Sequence, residues 1–316
     1  MTDETRELAV PEDLAGERLD RALARMFPEY SRTRLKDWLL DGFVTVNGLA
    51  RRPRDVVAGG EVVRLQPQAS LQVTSEAEPI ELDVVYEDEA LLVVNKPAGL
   101  VVHPGAGNLR GTLMNGLLHR VPGLADLPRA GIVHRLDKDT TGLLLIAKTL
   151  AAHTALVRQM AAREISRHYL AVCVGVLTGG GTIDAPIARH PVDRLRMSVQ
   201  DDGKPAVTHY RVIKRYAAHT YISVRLESGR THQIRVHLAW RRHPLVGDPV
   251  YGGRLSLPAG AGPHLQDVLR GFRRQALHAA KLEFRHPLTG KAVSLEAPLP
   301  MDFVQLLAAL EEATAT

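Results

Sequence analysis

The stretch that most constrains this chain is Gly131 to Lys148, Gly-Ile-Val-His-Arg-Leu-Asp-Lys-Asp-Thr-Thr-Gly-Leu-Leu-Leu-Ile-Ala-Lys. Two apolar runs, Ile132-Val133 and Leu143 to Ala147, bracket a short loop with His134, Arg135, Asp137, Lys138 and Asp139, closed by Thr140, Thr141 and Gly142. Burying both runs as strands brings the charged loop to the rim of a core, where rigid flanks hold its side chains in a fixed geometry. Asp and Thr side chains in such a loop can equally bond their own backbone in a solvated hairpin. The loop by itself leaves both readings open.

With 316 residues and 45% apolar content, the chain can bury one large core, or one core and a small satellite module. Lys and Arg number 40 against 35 acids, a net charge of +5, which permits a polyanionic partner without requiring one. The single cysteine, Cys173, excludes an internal disulfide and a Cys-based zinc site, fits a reducing cytosol, and sits among apolar neighbours as an inert thiol. No run reaches membrane-spanning length, and Met-Thr-Asp-Glu-Thr-Arg-Glu is too polar for a signal peptide. The expectation is a cytoplasmic protein with no membrane partner.

Residues 1–12 read as a flexible polar tail. From Glu17 to Met26, Leu19, Ala22, Leu23 and Met26 fall at helical spacing, with Arg18, Arg21 and Arg25 opposite. A second helix follows, with Ser31 as N-cap, Leu35, Trp38 and Leu39 as its apolar stripe, Arg32 and Lys36 on the wet side, and Gly42 at its end. Phe43 to Val46 then alternate into Asn47-Gly48, a hairpin signal, and Val62 to Leu65 supply a closing strand. Residues 13–66 therefore read as a small helix-helix-strand module, and Pro67 to Pro79 have linker composition. The runs Arg-Leu-Asp-Arg-Ala-Leu, Ser-Arg-Thr-Arg-Leu-Lys and Val-Thr-Val-Asn-Gly are similar to a small RNA-binding module shared with a primary small-subunit ribosomal protein. That resemblance implies phosphate contacts from Arg32, Arg34, Lys36, Arg51 and Arg52, which position RNA without reading its sequence. On charge alone, the same residues read equally well as a solvated face.

No repeat divides residues 80–316, which read as one domain. Val84-Val85 and Leu91 to Val94 look like paired strands around the acidic turn Glu87-Asp88-Glu89. Asn95 to Asn108 carries Gly105 and Gly107, but the next glycine, Gly111, falls one place late for a dinucleotide loop, and there is no Walker lysine pattern. Ala151 to Glu164 has helical periodicity. His168 to Val176 alternates as a strand with Tyr169 opposite His168 and Leu170, and Tyr169 alone would pass for core filler. Gly179 to Pro205 reads as long irregular loops; Thr208 to Ile213 and Tyr221 to Leu226 read as strands. Gln233, Arg235 and His237 alternate as in a strand, yet Thr231 could cap a helix to Trp240. His232 and His237, five apart with no carboxylate between them, suit structural roles better than a metal. Leu277 to Phe284 is a strand or short helix, and an apolar helix follows Pro298.

The run Gly131–Lys148 resembles the signature of the RluA-type family of pseudouridine synthases. Asn95-Lys96-Pro97-Ala98-Gly99-Leu100-Val101-Val102-His103-Pro104-Gly105-Ala106-Gly107-Asn108 is similar to the branch of that family acting on large-subunit ribosomal RNA, and the match extends from about Asp13 to Pro300. The resemblance implies an α+β fold with a mixed, largely antiparallel central sheet flanked by helices and loops. It implies Asp137 as the catalytic carboxylate and Asp139 as a brace for Thr140 or Thr141. Tyr169 would lie against the target base, Arg235 would pair with Asp137, Arg135 would fill the space left by a flipped base, and the 95–108 loop would pack beside the site. A guanidinium supports an enclosed carboxylate's charge and fixes its orientation, which makes the Asp137–Arg235 pairing physically sensible.

Isomerising uridine to pseudouridine calls for no cofactor and no metal. Asp137 would act at the sugar, as nucleophile or as base, and the sequence leaves that choice open. The expected partner is large-subunit ribosomal RNA or a pre-ribosomal particle, with the enzyme a monomer. Three rivals remain: a synthase of the same family acting on other ribosomal or transfer RNA uridines, an RNA-binding ribosome-assembly factor, and a glycosidase using Asp137 and Asp139, which would leave the RNA module unexplained.

Overall fold

A computed structural model describes residues 5–28, 30, 32–67, 76–105 and 107–315. The chain divides into two compact units, residues 1–74 and 75–316. Ser31 and residues 68–75 of the expected linker lie outside the described residues, as do the side chains of Thr33 and Arg34.

In the first unit, β1 (Arg6–Ala9), α1 (Leu19–Met26), α2 (Arg32–Leu40), β2 (Val44–Val46) and β3 (Val62–Leu65) follow in order. The sheet runs β1-β3-β2, antiparallel throughout. Leu19, Leu23 and Phe27 pack with Leu35, Leu39, Val44, Val46, Val63 and Leu65 in one buried cluster, so the apolar stripes of both helices face the sheet. Asn47 and Gly48 take φ 50 and 76, the left-handed pair that closes a two-residue turn between Val46 and Leu49. The expected tail of residues 1–12 needs correction. Arg6–Ala9 forms an exposed strand on β3, Val10 is buried, and residues 12–14 form a 3-10 turn.

The second unit contains β4 (Val84–Glu87), β5 (Leu91–Lys96), α3 (Leu113–Arg120), β6 (Thr141–Ala147), α4 (Leu150–Ala161), β7 (Ser166–Val174), β8 (Gly181–Asp184), β9 (Ile187–Arg189) and β10 (Met197–Val199). After these come β11 (Val207–Arg215), β12 (His219–Leu226), α5 (Gln233–Trp240), α6 (Pro263–Gly271), β13 (Leu277–Arg285), β14 (Ala292–Glu296) and α7 (Met301–Ala315). Among the described residues, nine strands form one sheet in the order β4-β5-β6-β13-β7-β12-β11-β8, with β14 on β13. Its pairings are antiparallel except β6 with β13. The fold is thus α+β with a mixed, largely antiparallel sheet.

Both faces of the sheet are covered, which explains the unbroken apolar runs in β5 and β6. Leu92, Val94, Leu144 and Ile146 face a core with Leu113 and Leu117 of α3 and Ile234 and Leu238 of α5. Leu91, Val93, Leu143 and Leu145 face the opposite way, toward Ala152 and Leu156 of α4. Cys173 lies fully buried on the first face, and burial pushes its thiol up to about 12, the inert state expected of it. Gly142 permits the approach of β6 to β13: its φ is +109, and a Cβ there would sit 2.3 Å from the Ala279 carbonyl oxygen.

Two sequence expectations change here. Residues 179–205 are not loop throughout, since β8 joins the sheet edge at β11 and β9 pairs with β10. The open choice at Gln233 resolves to a helix, but its N-cap is His232 at φ 58, not Thr231, and no side chain caps it. Leu277–Arg285 is a strand.

Candidate active site

The loop from Ile132 to Thr140 enters β6 with Leu136 anchored in the core, 5% exposed, and the turn closed by the Thr140 N–H on the Asp137 carbonyl at 3.1 Å. Its next residues are pinned one after another. The buried Lys96 ammonium donates to the Lys138 carbonyl at 2.7 Å and to those of Pro97 and Leu100 at 2.7 and 3.0 Å. Arg274 donates to the Asp139 carbonyl, Gln275 to Thr140 Oγ1, and Thr141 Oγ1 meets His278 Nδ1 at 2.8 Å. The Thr140 and Thr141 hydroxyls are therefore braced by Gln275 and His278, a correction to the bracing expected of Asp139. Burial drives the Lys96 pKa down to about 7, with Asp139 and Asp137 pulling it back up.

This loop presents Asp137 to a cavity of about 550 Å³, within the ~300–1,000 Å³ of small-ligand pockets. Arg135, Tyr169 and Arg235 line the same cavity, so four side chains singled out from the sequence meet in one place. Asp137 Oδ2 accepts from Arg235 Nη1 at 3.0 Å. Arg235, on the first turn of α5 and 4% exposed, gives its Nε and Nη2 to Asp248 at 2.7 and 2.9 Å. Asp248 Oδ1 also accepts the Val250 and Tyr251 N–H groups. Burial opposes the Arg235 charge, but Asp248 and then Asp137 outweigh it and hold its pKa above the ordinary value. The guanidinium is thus a fixed cation between two carboxylates.

Tyr169 faces the cavity from β7 and is 5% exposed. Burial raises its phenol pKa; Arg167 opposes and Asp137 adds to the rise. Burial takes His134 down to about 3, helped by Arg167, and His103 down to about 4, helped by Arg129 and Arg135. Both imidazoles are neutral at neutral pH, and His134 Nε2 accepts the Leu145 N–H. The 95–108 loop contributes His103 to the cavity wall, while Val101, Val102 and Asn108 flank Asp137 from an adjoining groove. Among the described residues, no group of three or more His, Cys, Asp or Glu is placed to hold a metal ion.

Sequence reasoning places neither Asp248 nor His232 in the site. Asp248 is the buried counter-ion of Arg235, and its signal was a lone acid between Gly247 and Pro249 in an otherwise apolar run. His232 was assigned a structural role, yet its Nε2 lies 3.9 Å from Asp137 Oδ1. His237 does play the structural part, fully buried against Thr208 and the Ala185 carbonyl.

In the other unit, Arg32 pairs with the buried Asp20 at 2.6 Å, and Arg51 pairs with Asp55 and Glu61. Lys36 and Arg52 are exposed.

Residues 90–240 match the family model described as RNA pseudouridylate synthase, and residues 17–63 match the S4 domain. The chain is 57% identical to the ribosomal large subunit pseudouridine synthase D of Xylella fastidiosa over 98% of this chain and 94% of that protein. The chain belongs to the RluA-type family of RNA pseudouridine synthases. As an RNA pseudouridine synthase it is an isomerase, and its first unit is an RNA-binding S4 domain. Proteins of the same name from Pseudomonas aeruginosa and Escherichia coli K12 are 57% and 54% identical, covering 96% and 94% of this chain and 95% and 92% of theirs. Among solved structures, human RNA pseudouridylate synthase domain containing 4 is similar at 26% identity and TM-score 0.59, covering 72% of this synthase and 93% of that chain. Human RNA pseudouridylate synthase domain containing 1 is similar at 28% identity and TM-score 0.56, covering 74% and 89%.

No helix among the described residues is long and apolar enough to cross a membrane.

Proposed function

We propose that this synthase converts specific uridines of large-subunit (23S) ribosomal RNA to pseudouridine, in a stem-loop of the free RNA or of a pre-ribosomal particle, as a monomer in the cytoplasm. The observation that carries the reading is the Asp137–Arg235 pair inside a nucleoside-sized cavity, in a chain 53–57% identical to proteins named as ribosomal large subunit synthases D. The uridine leaves its stack, at a cost of about a few kcal/mol, and enters the cavity. Arg135, on the exposed shoulder of the loop, takes the vacated space.

Asp137 acts at the ribose. With Oδ2 committed to Arg235, Oδ1 is the oxygen that faces the sugar, as nucleophile at the anomeric carbon or as base for the 2′ proton. Tyr169, its phenol kept protonated by burial, lies against the detached uracil while it turns and rejoins through a ring carbon. In the S4 domain, Lys36 and Arg52 are exposed to meet phosphates; Arg32, Arg34 and Arg51 complete the basic set.

Pseudouridine mapping on ribosomal RNA from cells lacking the gene tests this. The expected result is loss at a small number of large-subunit positions, restored by the native protein and not by Asp137→Asn. Unchanged large-subunit pseudouridines would sink it.

A further inference from the structure

His232 opens α5 with φ 58, in the left-handed region that residues other than glycine rarely adopt. Its side chain lines the cavity. Nδ1 lies 2.8 Å from the Tyr251 hydroxyl, and Nε2 lies 3.9 Å from Asp137 Oδ1. The Tyr251 oxygen already accepts the Met197 N–H at 2.8 Å, so its own proton is free to donate, and His232 Nδ1 is the acceptor at hand. A neutral imidazole has one acceptor and one donor nitrogen. With Nδ1 accepting, the His232 proton resides on Nε2 and faces the carboxylate. Burial lowers the His232 pKa; Asp137 and Asp248 pull it up, and Arg235 and Arg135 push it down. Tyr251 is itself held, 8% exposed, with its ring 5.1 Å from the Arg235 guanidinium carbon.

The gap between Nε2 and Oδ1 is too long for a direct hydrogen bond, but it suits one bridging oxygen at about 2.7–3.0 Å from each. That oxygen must accept from Nε2–H and donate to Oδ1, as a hydroxyl can, and with the target nucleoside seated in the cavity the ribose supplies one. Within an RNA chain the 3′ and 5′ oxygens are esterified, so the ribose hydroxyl that remains is the 2′-OH, the group that separates RNA from DNA.

We propose that His232 is a further catalytic residue: its Nε2–H donates to the 2′-hydroxyl of the target uridine, which in turn donates to Asp137 Oδ1, while Tyr251 holds the imidazole tautomer. The inference rests on Asp137 acting at the ribose.

The test uses the full-length enzyme and a stem-loop RNA that it modifies, with uridine or 2′-deoxyuridine at the target. His232→Ala slows single-turnover isomerisation about tenfold or more with little change in RNA affinity. His232→Gln, which restores an N–H near Nε2, recovers most of that loss, and Tyr251→Phe slows the step several-fold. The deoxy substitution slows the same single-turnover step in the native enzyme and adds little in His232→Ala. A native rate in His232→Ala, a Gln variant no better than Ala, or an equal deoxy penalty in both enzymes overturns the proposal. If His232→Ala does not fold, the same deoxy comparison between native and Tyr251→Phe enzymes decides, an equal penalty again overturning it. Activity surviving in Asp137→Asn would instead overturn the underlying reading of Asp137.

Discussion

Arg235 and Asp248 meet through two parallel hydrogen bonds, 2.7 and 2.9 Å long, leaving the third guanidinium nitrogen for Asp137. The side chain of Asp248 is fully buried, and that of Arg235 is 5% exposed. Removing one partner strands the other as an unpaired charge in the interior. Asp248→Ala is therefore expected to lower unfolding free energy by about 3–5 kcal/mol, measured by urea denaturation, and to slow catalysis by letting Arg235 drift. A variant as stable as the native enzyme would show that the pair is dispensable.

Asp137 has the opposite profile. Its side chain reaches the cavity at 17% exposure, and its partner Arg235 keeps Asp248 whatever happens at position 137. Asp137→Asn should melt within a degree or two of the native protein while losing at least ~10²–10⁴-fold in single-turnover rate. Loss of fold together with activity would make this residue a structural one.

Salt dependence separates the basic residues of the S4 domain. Lys36 and Arg52 are exposed, and neutralising either to Gln should weaken RNA binding and reduce the slope of log K against log salt by about 1. Arg32→Gln should cost stability as well, because Arg32 and Arg18 are the cations on the buried Asp20. Equal salt slopes in native and Lys36→Gln proteins would remove Lys36 from the RNA face.

Gly142→Ala should be among the most damaging single-methyl additions in the chain. The new Cβ would lie 2.3 Å from a backbone oxygen of β13, at a φ that side chains avoid. A loss of at least ~3 kcal/mol in denaturant, or failure to fold, is expected, and a neutral effect would contradict the β6–β13 register.

Asp88 makes stability depend on acid. Burial raises its pKa, but the Tyr86 hydroxyl, the Leu91 N–H, His286 and the Ala90 N–H together bring it down to about 2. A carboxyl depressed on folding contributes stability above its unfolded pKa of roughly 4, and that contribution fades as pH falls toward 2. The difference in melting temperature between native and Asp88→Asn proteins should be largest at neutral pH and shrink between about pH 4 and pH 2. A difference constant across that range would refute the charge contribution.

Strands buried on both faces announced themselves in the sequence because nothing but apolar residues can fill them, as in Leu91–Val94 and Leu143–Ala147. The Asp137 loop was legible for the same reason, being a polar island between two such runs. Arg6–Ala9 was hidden: all four residues are exposed, and backbone pairing to β3 rather than side-chain burial makes them a strand. Helix α5 gave no periodic signal because Gln233, Arg235 and His237 are as buried as Ile234 and Leu238, each polar group finding a partner in Thr208, Asp248 or a carbonyl. Asp248 and His232 became meaningful once Arg235 and Asp137 had positions in space. Spacing along the chain carries no information about which acid a distant arginine will choose.

β6 and β7 are neighbours in sequence, yet β13 is inserted between them, and Asp137 and Arg235 are 98 positions apart. A ribosome making this protein releases both halves of the ion pair well before residues 277–285 emerge to draw the two strands together. The growing polypeptide therefore carries an RNA-binding S4 domain long before it owns a working pocket, and catalysis waits until β13 has been made.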